Sequence, residues 1–131
     1  MKKSGVLNTH ISSLIAELGQ TDTIAIVDAT TSIPDETKKI DLALIKGIPS
    51  FMDTLKAVLS DVETNEVIIA METEEENKEI FDSITAEVEG KKVVKVSNEQ
   101  LKIMLKKCRG VIRCGEATPY SNIIIKSASI F

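Results

Sequence analysis

Apolar residues recur along the chain with two alternating periods, and that alternation predicts a series of helices and strands. Ile11, Leu14, Ile15 and Leu18 form an i, i+3, i+4, i+7 stripe, which predicts an amphipathic helix over 9–18. Asn8 or Thr9 suits its N-terminal cap, and Gly19 stands where a left-handed residue would close it. Thr23–Val27 is a short continuous apolar run, the pattern of a strand covered on both faces. It ends at Asp28, and the loop 29–35 follows. Ile40, Leu42 and Leu44 alternate with polar or small neighbours, predicting a second strand over 39–45. Pro49-Ser50 opens a helix that turns Phe51, Leu55, Val58, Leu59 and Val62 inward. Residues 66–70 read as another buried strand, and 73–88 as a helix with Ile80, Phe81, Ile84 and Val88 inward, closed by Gly90. A strand over 92–96 leads into the capping box Ser97-x-x-Gln100, which opens a helix carrying Leu101, Met104 and Leu105. Val111-Ile112 and 123–125 are the last two strands, separated by the polar segment 115–122.

Alternating strands and helices predict an α/β sandwich with a mostly parallel or mixed sheet. No internal repeat, low-complexity linker or composition break divides the chain, so the expectation is one domain over 1–131.

Composition narrows the function classes. At 43% hydrophobic and 27% charged, the 131 residues suit a folded core. Sixteen basic against twenty acidic residues give a net charge of -4, which argues against non-specific binding to nucleic acid or to an anionic membrane surface. Aromatics are 3%, without Trp and with one Tyr, so the stacking platforms of a single-strand binder are missing. No apolar run approaches the ~20 residues that span a bilayer. Asn8, Thr9, Ser12, Ser13 and Glu17 interrupt any signal-peptide core after Lys2-Lys3. Cys108 and Cys114 are too few for a disulfide framework and form no C-x-x-C pair, so they read as small buried apolar residues in a reducing cytoplasm.

The candidate chemistry is sparse. His10, the single histidine, lies in the first turn of a helix and reads as a surface residue, leaving a His/Cys zinc site or a Ser-His-Asp triad without support. Glu72, Glu74, Glu75 and Glu76 read as solvated first-turn acids that complement a helix dipole, since a carboxylate metal site draws ligands from several elements. No G-x-G-x-x-G or G-x-x-x-x-G-K-[ST] motif is present. Two segments stand out. Asp28 ends an apolar strand, where α/β sheets offer their ligand crevice, and a carboxylate there needs a partner or a ligand. In the segment 115–122, Tyr120, Ser121 and Asn122 place two hydroxyls and an amide in a row, a set suited to a polyhydroxylated ligand or to a turn that uses Pro119 and Asn122 for geometry alone.

At these segments the chain resembles the D-ribose pyranase family, the sugar mutarotases that also include fucose mutarotase. The resemblance is carried by Met1-Lys2-Lys3 with Val6-Leu7-Asn8, by Leu18-Gly19-x-Thr21-Asp22, and by Asp28-Ala29 with Ile33-Pro34. It continues through Ile40-Asp41-Leu42-Ala43-Leu44, Gly47-x-Pro49-x-Phe51 and Val111-Ile112-Arg113-x-Gly115-Glu116-x-x-Pro119-Tyr120-x-Asn122-Ile123, to Phe131. It implies a three-layer α/β/α fold in a ring-shaped homodecamer with sugar pockets between neighbouring subunits. It also implies cofactor-free interconversion of the pyranose and furanose forms of ribose, linked to ribose uptake. Asp28, Lys102, Tyr120, Ser121 and Asn122 match the family's sugar-binding pattern.

Four departures accompany the resemblance. The family's histidine acid after Leu18-Gly19 is Gln20 here, and its pocket histidine after Ser97 is Asn98. The loop written Asp-Ala-Gly-Leu-Pro in the family is Asp28-Ala-Thr-Thr-Ser32, and Met71-Glu72-Thr73-Glu74 replaces a Glu-Glu-Ile-Lys stretch. Ring opening moves a proton onto the ring oxygen and takes one from the anomeric hydroxyl, and general acid–base help needs a group that titrates near the working pH. Gln and Asn keep shape and hydrogen bonding without titrating. Three readings follow: a mutarotase using another group among Asp28, Glu116, Lys102 and Tyr120; a sugar-binding relative that acts as sensor or partner in uptake; or a structural ring protein.

Overall fold

The computed structural model describes residues 1–131. In chain order the elements are α1 (Thr9–Glu17), β1 (Thr23–Val27), β2 (Lys39–Asp41), α2 (Phe51–Leu59), β3 (Thr64–Ala70), α3 (Met71–Glu76), α4 (Lys78–Glu87), β4 (Lys92–Val96), α5 (Asn98–Met104), β5 (Gly110–Arg113) and β6 (Ile123–Ser127). The strands form one sheet in the order β2-β5-β1-β6-β3-β4. β6 runs antiparallel to both β1 and β3, while β1 with β5, β2 with β5, and β3 with β4 are parallel. The sheet is therefore mixed.

Successive side chains on a strand point to opposite faces. Ile24 and Ile26 of β1 join Ile123 and Ile125 of β6 in a core with Leu14 of α1, Phe51 and Leu55 of α2, and Ile84 of α4. Ala25, Val27 and Ile124 face the other way, against Leu101 and Leu105 at the α5 layer. Helices cover both faces, which is why these strands read as continuous apolar runs, and the result is the expected α/β/α arrangement. Apolar burial of this kind is the main drive for folding.

Local chemistry sets the helix starts. Asn8 Oδ1 accepts from the Ile11 N–H at 3.0 Å, Ser50 Oγ from Asp53 at 3.1 Å, and Ser97 Oγ from Gln100 at 3.0 Å. The end of α1 differs from expectation. Leu18 is extended there, Gly19 donates its N–H to Asp22 Oδ2 at 2.8 Å, and Thr21 takes the left-handed turn position at φ 75°.

Two predicted elements have other bounds. β2 stops at Asp41 because Ala43 donates to Asp41 Oδ1 at 3.1 Å and Leu44 donates to the Ile48 carbonyl at 3.0 Å, closing a tight loop that leaves Leu44 exposed. The helix expected over 73–88 is two helices. Asn77, at φ −145° and ψ 64°, breaks it and caps α4 with its own side chain. Asparagine competes with the helix for backbone groups, and here its Nδ2 also donates to the Pro119 carbonyl at 2.8 Å. Leu59 is only partly buried, whereas the other four inward positions of α2 and its exit are in the core.

The parallel strands end, and β6 begins, along one edge of the sheet. No helix is long and apolar enough to cross a membrane.

Candidate active site

Asp28 follows β1 directly and is 2% exposed. Its Oδ1 accepts four donors from the loop that follows: the Thr30 and Thr31 N–H groups, each at 2.9 Å, and their hydroxyls at 2.8 and 3.0 Å. This is an Asx turn reinforced by hydroxyls. Oδ2 has no partner in the chain. The Asp28 N–H donates to Asn122 Oδ1 at 3.0 Å, bringing in the first residue before β6. Because that N–H can only donate, the Asn122 amide oxygen must face it, and Asn122 Nδ2 is left as a free donor.

The loop after Asp28 is clamped from outside. Arg113, at the end of β5, donates through Nε and Nη2 to the Ala29 carbonyl, each at 3.1 Å, and through Nη1 to both Asp41 oxygens at 3.1 and 3.0 Å. Burial works to raise the Asp41 carboxyl, yet the Ala43 N–H and the Arg113 guanidinium outweigh it and hold the group below the ordinary carboxylate range.

The second wall comes from the start of α5. Both oxygens of Glu72 accept from the Asn98 N–H, at 3.0 and 3.1 Å. Asn98 Oδ1 is the one buried side-chain polar atom without a hydrogen-bond partner. Buried polar atoms are almost always paired, so this unpaired oxygen stands out on a residue that lines a cleft. Lys102, one turn along α5, is exposed and has no carboxylate within ion-pair distance.

The third wall is the turn before β6. Tyr120 is left-handed at φ 57°, a conformation uncommon for a residue with a side chain and typical of sites where the surroundings over-determine the backbone. Those surroundings are α3 and its exit: Thr73 Oγ1 donates to the Tyr120 carbonyl at 2.7 Å, and Asn77 holds Pro119. Ser121 is fully buried behind this wall, where its Oγ lies 2.8 Å from Thr118 Oγ1 and donates to the Thr118 carbonyl at 3.1 Å.

The three walls enclose a cavity of about 210 Å³ lined by Asp28, Thr30, Thr31, Ser32, Asn98, Lys102, Pro119, Tyr120 and Asn122. Of the residues singled out from sequence, Asp28, Asn98, Lys102, Tyr120 and Asn122 meet here. Ser121 supports the wall without lining the cavity. Gln20 lies elsewhere, before β1 at the opposite end of the sheet, beside Ser127 and the terminal Ile130 and Phe131. The five residues of β1 at about 3.3 Å each separate it from Asp28 by roughly 16 Å.

Glu116 is also occupied otherwise. Its Oε1 accepts from the Phe51 N–H at 3.0 Å, capping α2, and its Oε2 accepts from Thr118 at 3.0 Å. His10 is exposed on α1 and lines no part of the cavity. The acidic run does more than sit in solvent: Glu72 holds Asn98, and Glu74 pairs with Lys95 at 2.7 Å, a bond that keeps the Glu74 carboxyl below its ordinary range. Both cysteines are buried and free, and burial pushes the Cys114 thiol up to about 11.

Sequence reasoning did not name Thr30, Thr31 and Ser32 as lining residues, nor Glu72, Thr73 and Asn77 as wall supports. The signal for Thr30 and Thr31 was present: hydroxyl residues two and three positions after an aspartate that ends a strand favour an Asx turn. Nothing local marks the second group, whose contacts cross more than twenty residues of sequence.

Comparison with known proteins agrees along the whole chain. It is 52% identical over 131 residues to a D-ribose pyranase of Clostridium novyi (strain NT), covering all of both chains. It is 46% identical to a D-ribose pyranase of Geobacillus kaustophilus (strain HTA426), covering all of this chain and 96% of that one. Among solved structures it is similar to Bacillus subtilis RbsD complexed with D-ribose, at TM-score 0.97 and 37% identity over the whole of both chains. It shares its fold with the fucose mutarotase in complex with L-fucose from Streptococcus pneumoniae, at TM-score 0.82 and 18% identity over 95% of each chain. With residues 1–130 matched throughout, the chain belongs to the RbsD / FucU transport protein family.

Proposed function

We propose that this chain is a D-ribose pyranase, which interconverts the pyranose and furanose forms of ribose in the cavity between Asp28, Asn98, Tyr120 and Asn122. The observation that carries this reading is the set of unpaired polar atoms there: the free Asp28 oxygen, the buried Asn98 oxygen and the free Asn122 amide. Two acceptors and a donor converging on a small polar cavity match the alternating donors and acceptors of sugar hydroxyls. The full-length identity to D-ribose pyranases supports the same substrate.

Ring opening takes the proton from the anomeric hydroxyl, breaks the bond between C1 and the ring oxygen, and protonates that oxygen, giving the open aldehyde. Attack of the other chain hydroxyl on C1 closes the furanose, with its own proton lost and one returned to the anomeric oxygen. Asp28 Oδ2 is the acceptor for the anomeric proton, and the unpaired Lys102 ammonium and the Tyr120 hydroxyl are the donors available to the ring oxygen. Asn98 and Asn122 hold the sugar. The reaction needs no cofactor.

Gln20 is too far from Asp28 to serve its own cavity. In this reading it reaches the cavity of a neighbouring subunit, within a ring of ten that acts in the cytoplasm on sugar delivered by uptake. The exposed Leu44, Ile45, Ile48 and Phe131 supply apolar surface for that association. Proton NMR saturation transfer between the ribose anomers tests the activity. Pyranose–furanose exchange should rise in proportion to protein; bound ribose without faster exchange would leave a binder in place of an enzyme.

A further inference from the structure

We propose that Thr31 is a positioning residue that locks the two ligand-reading groups, Asp28 and Asn122, into one unit, with Thr30 as a weaker helper. The inference rests on the ribose pyranase reading and deepens it.

A buried aspartate is free to turn about a broad terminal torsion unless its oxygens are held. Here one oxygen takes all four donors of the loop, so the carboxylate has a single orientation and its other oxygen faces the cavity. Backbone N–H groups already supply two of those donors. What the Thr31 hydroxyl adds is a second contact, since its Oγ1 lies 3.0 Å from Asp28 Oδ1 and 3.2 Å from Asn122 Oδ1. One hydroxyl hydrogen is thus shared between two acceptors. Asn122 Oδ1 also receives the Asp28 N–H, which closes a loop of three contacts through Asp28, Thr31 and Asn122. Turning the Asn122 amide breaks its bond to the Asp28 N–H, and turning either side chain gives up the Thr31 hydroxyl that holds both. Thr30 differs, because its hydroxyl reaches Asp28 alone.

The test compares Thr31→Val, Thr31→Ser and Thr30→Val. Valine keeps the shape and loses the shared hydrogen, and a lost hydrogen bond to a charged group is an effect of about tenfold or more. Thr31→Val should lower kcat/KM for ribose exchange by about that factor, Thr31→Ser should restore most of it, and Thr30→Val should cost less. Added to Asp28→Asn, Thr31→Val should cost less than it does in the wild type, because the part of its action that runs through Asp28 is already lost. Wild-type kinetics in Thr31→Val, or a full additive loss in the double variant, would overturn the proposal. If valine prevents folding, Thr31→Ala takes its place.

A second readout needs no activity. The Asp28 backbone N–H should exchange with deuterium faster in Thr31→Val than in the wild type, because Asn122 is no longer held against it. Unchanged exchange there overturns the positioning role. A wild-type protein inert toward ribose defeats the pyranase reading and leaves this measurement standing by itself.

Discussion

The Asp28 backbone N–H donates to Asn122 Oδ1 at 3.0 Å, joining two residues 94 positions apart. The contact is possible because β6 inserts antiparallel beside β1, with Ile26 opposite Ile123, so that the exit of one strand meets the entrance of the other. It decides which end of the Asn122 amide meets a ligand. The oxygen is consumed within the protein, and the NH2 group is presented. Both residues are almost fully buried, so the site is organised before any sugar arrives.

Asn122→Ala removes that presented donor and also leaves the Asp28 N–H without an acceptor. Ribose affinity measured by calorimetry should fall about tenfold. Unchanged affinity would take Asn122 out of the sugar site.

Asp28→Asn keeps the size of the side chain and removes the acceptor for the anomeric proton. Loss of general-base help should slow pyranose–furanose exchange by roughly 10²–10⁴-fold. Glu116→Gln provides the contrast, since Glu116 caps α2 and lies outside the cavity: its expected effect is a lower melting temperature with exchange kept. Equal losses of rate in the two variants would mean that Asp28 has no special role.

Glu72→Ala strips both acceptors from the Asn98 N–H and frees the start of α5. A destabilisation of about 1–3 kcal/mol is expected, together with a raised KM for ribose. Glu72→Gln retains one acceptor and should recover part of both. A KM unmoved in Glu72→Ala would show that Asn98 is held without this bond.

Gln20→His introduces a group titrating at about 6.5 at a position that lies outside its own cavity. Exchange should rise in the assembled protein, with an inflection in that pH range, and the chain should elute from a sizing column as a large ring. Elution as a monomer would leave Gln20 unable to reach any cavity.

Cys114 makes stability fall in alkali. Burial raises its thiol in the folded state to about 11 from the model-compound 9.0. The unfolded chain therefore loses this proton first. The stabilisation is complete below pH 9 and is lost as pH rises from 9 toward 11. Denaturant midpoints across that window should drop, and less steeply in Cys114→Ser. Native protein at neutral pH should react with an alkylating agent only as fast as it unfolds, because the buried thiol stays protonated.

Much of the fold is legible in the residues themselves. Thr23–Val27 reads as a strand covered on both faces, and it is one, since helices lie on each side of the sheet. Ser50 and Ser97 announce helix starts and make the expected bonds. Short-range patterning succeeds there because the deciding interactions lie within four residues. It misplaces Asn77, where a contact with Pro119 helps to end α3, and Asp41, where a local turn overrides the alternation of Ile40, Leu42 and Leu44.

By itself the sequence determined the α/β class, most element starts, and most of the polar residues that line the cavity, because period, capping chemistry and side-chain type are properties of short segments. Only the tertiary structure decided which of those polar atoms stay unpaired. Asp28 keeps one oxygen because Thr30 and Thr31 take the other, and Glu116 is spent on the cap of α2. The fold also put Gln20 at the far end of β1 from the cavity of its own chain. Hydrogen-bond capacity is limited, and its allocation among distant segments is fixed only when the strands pair.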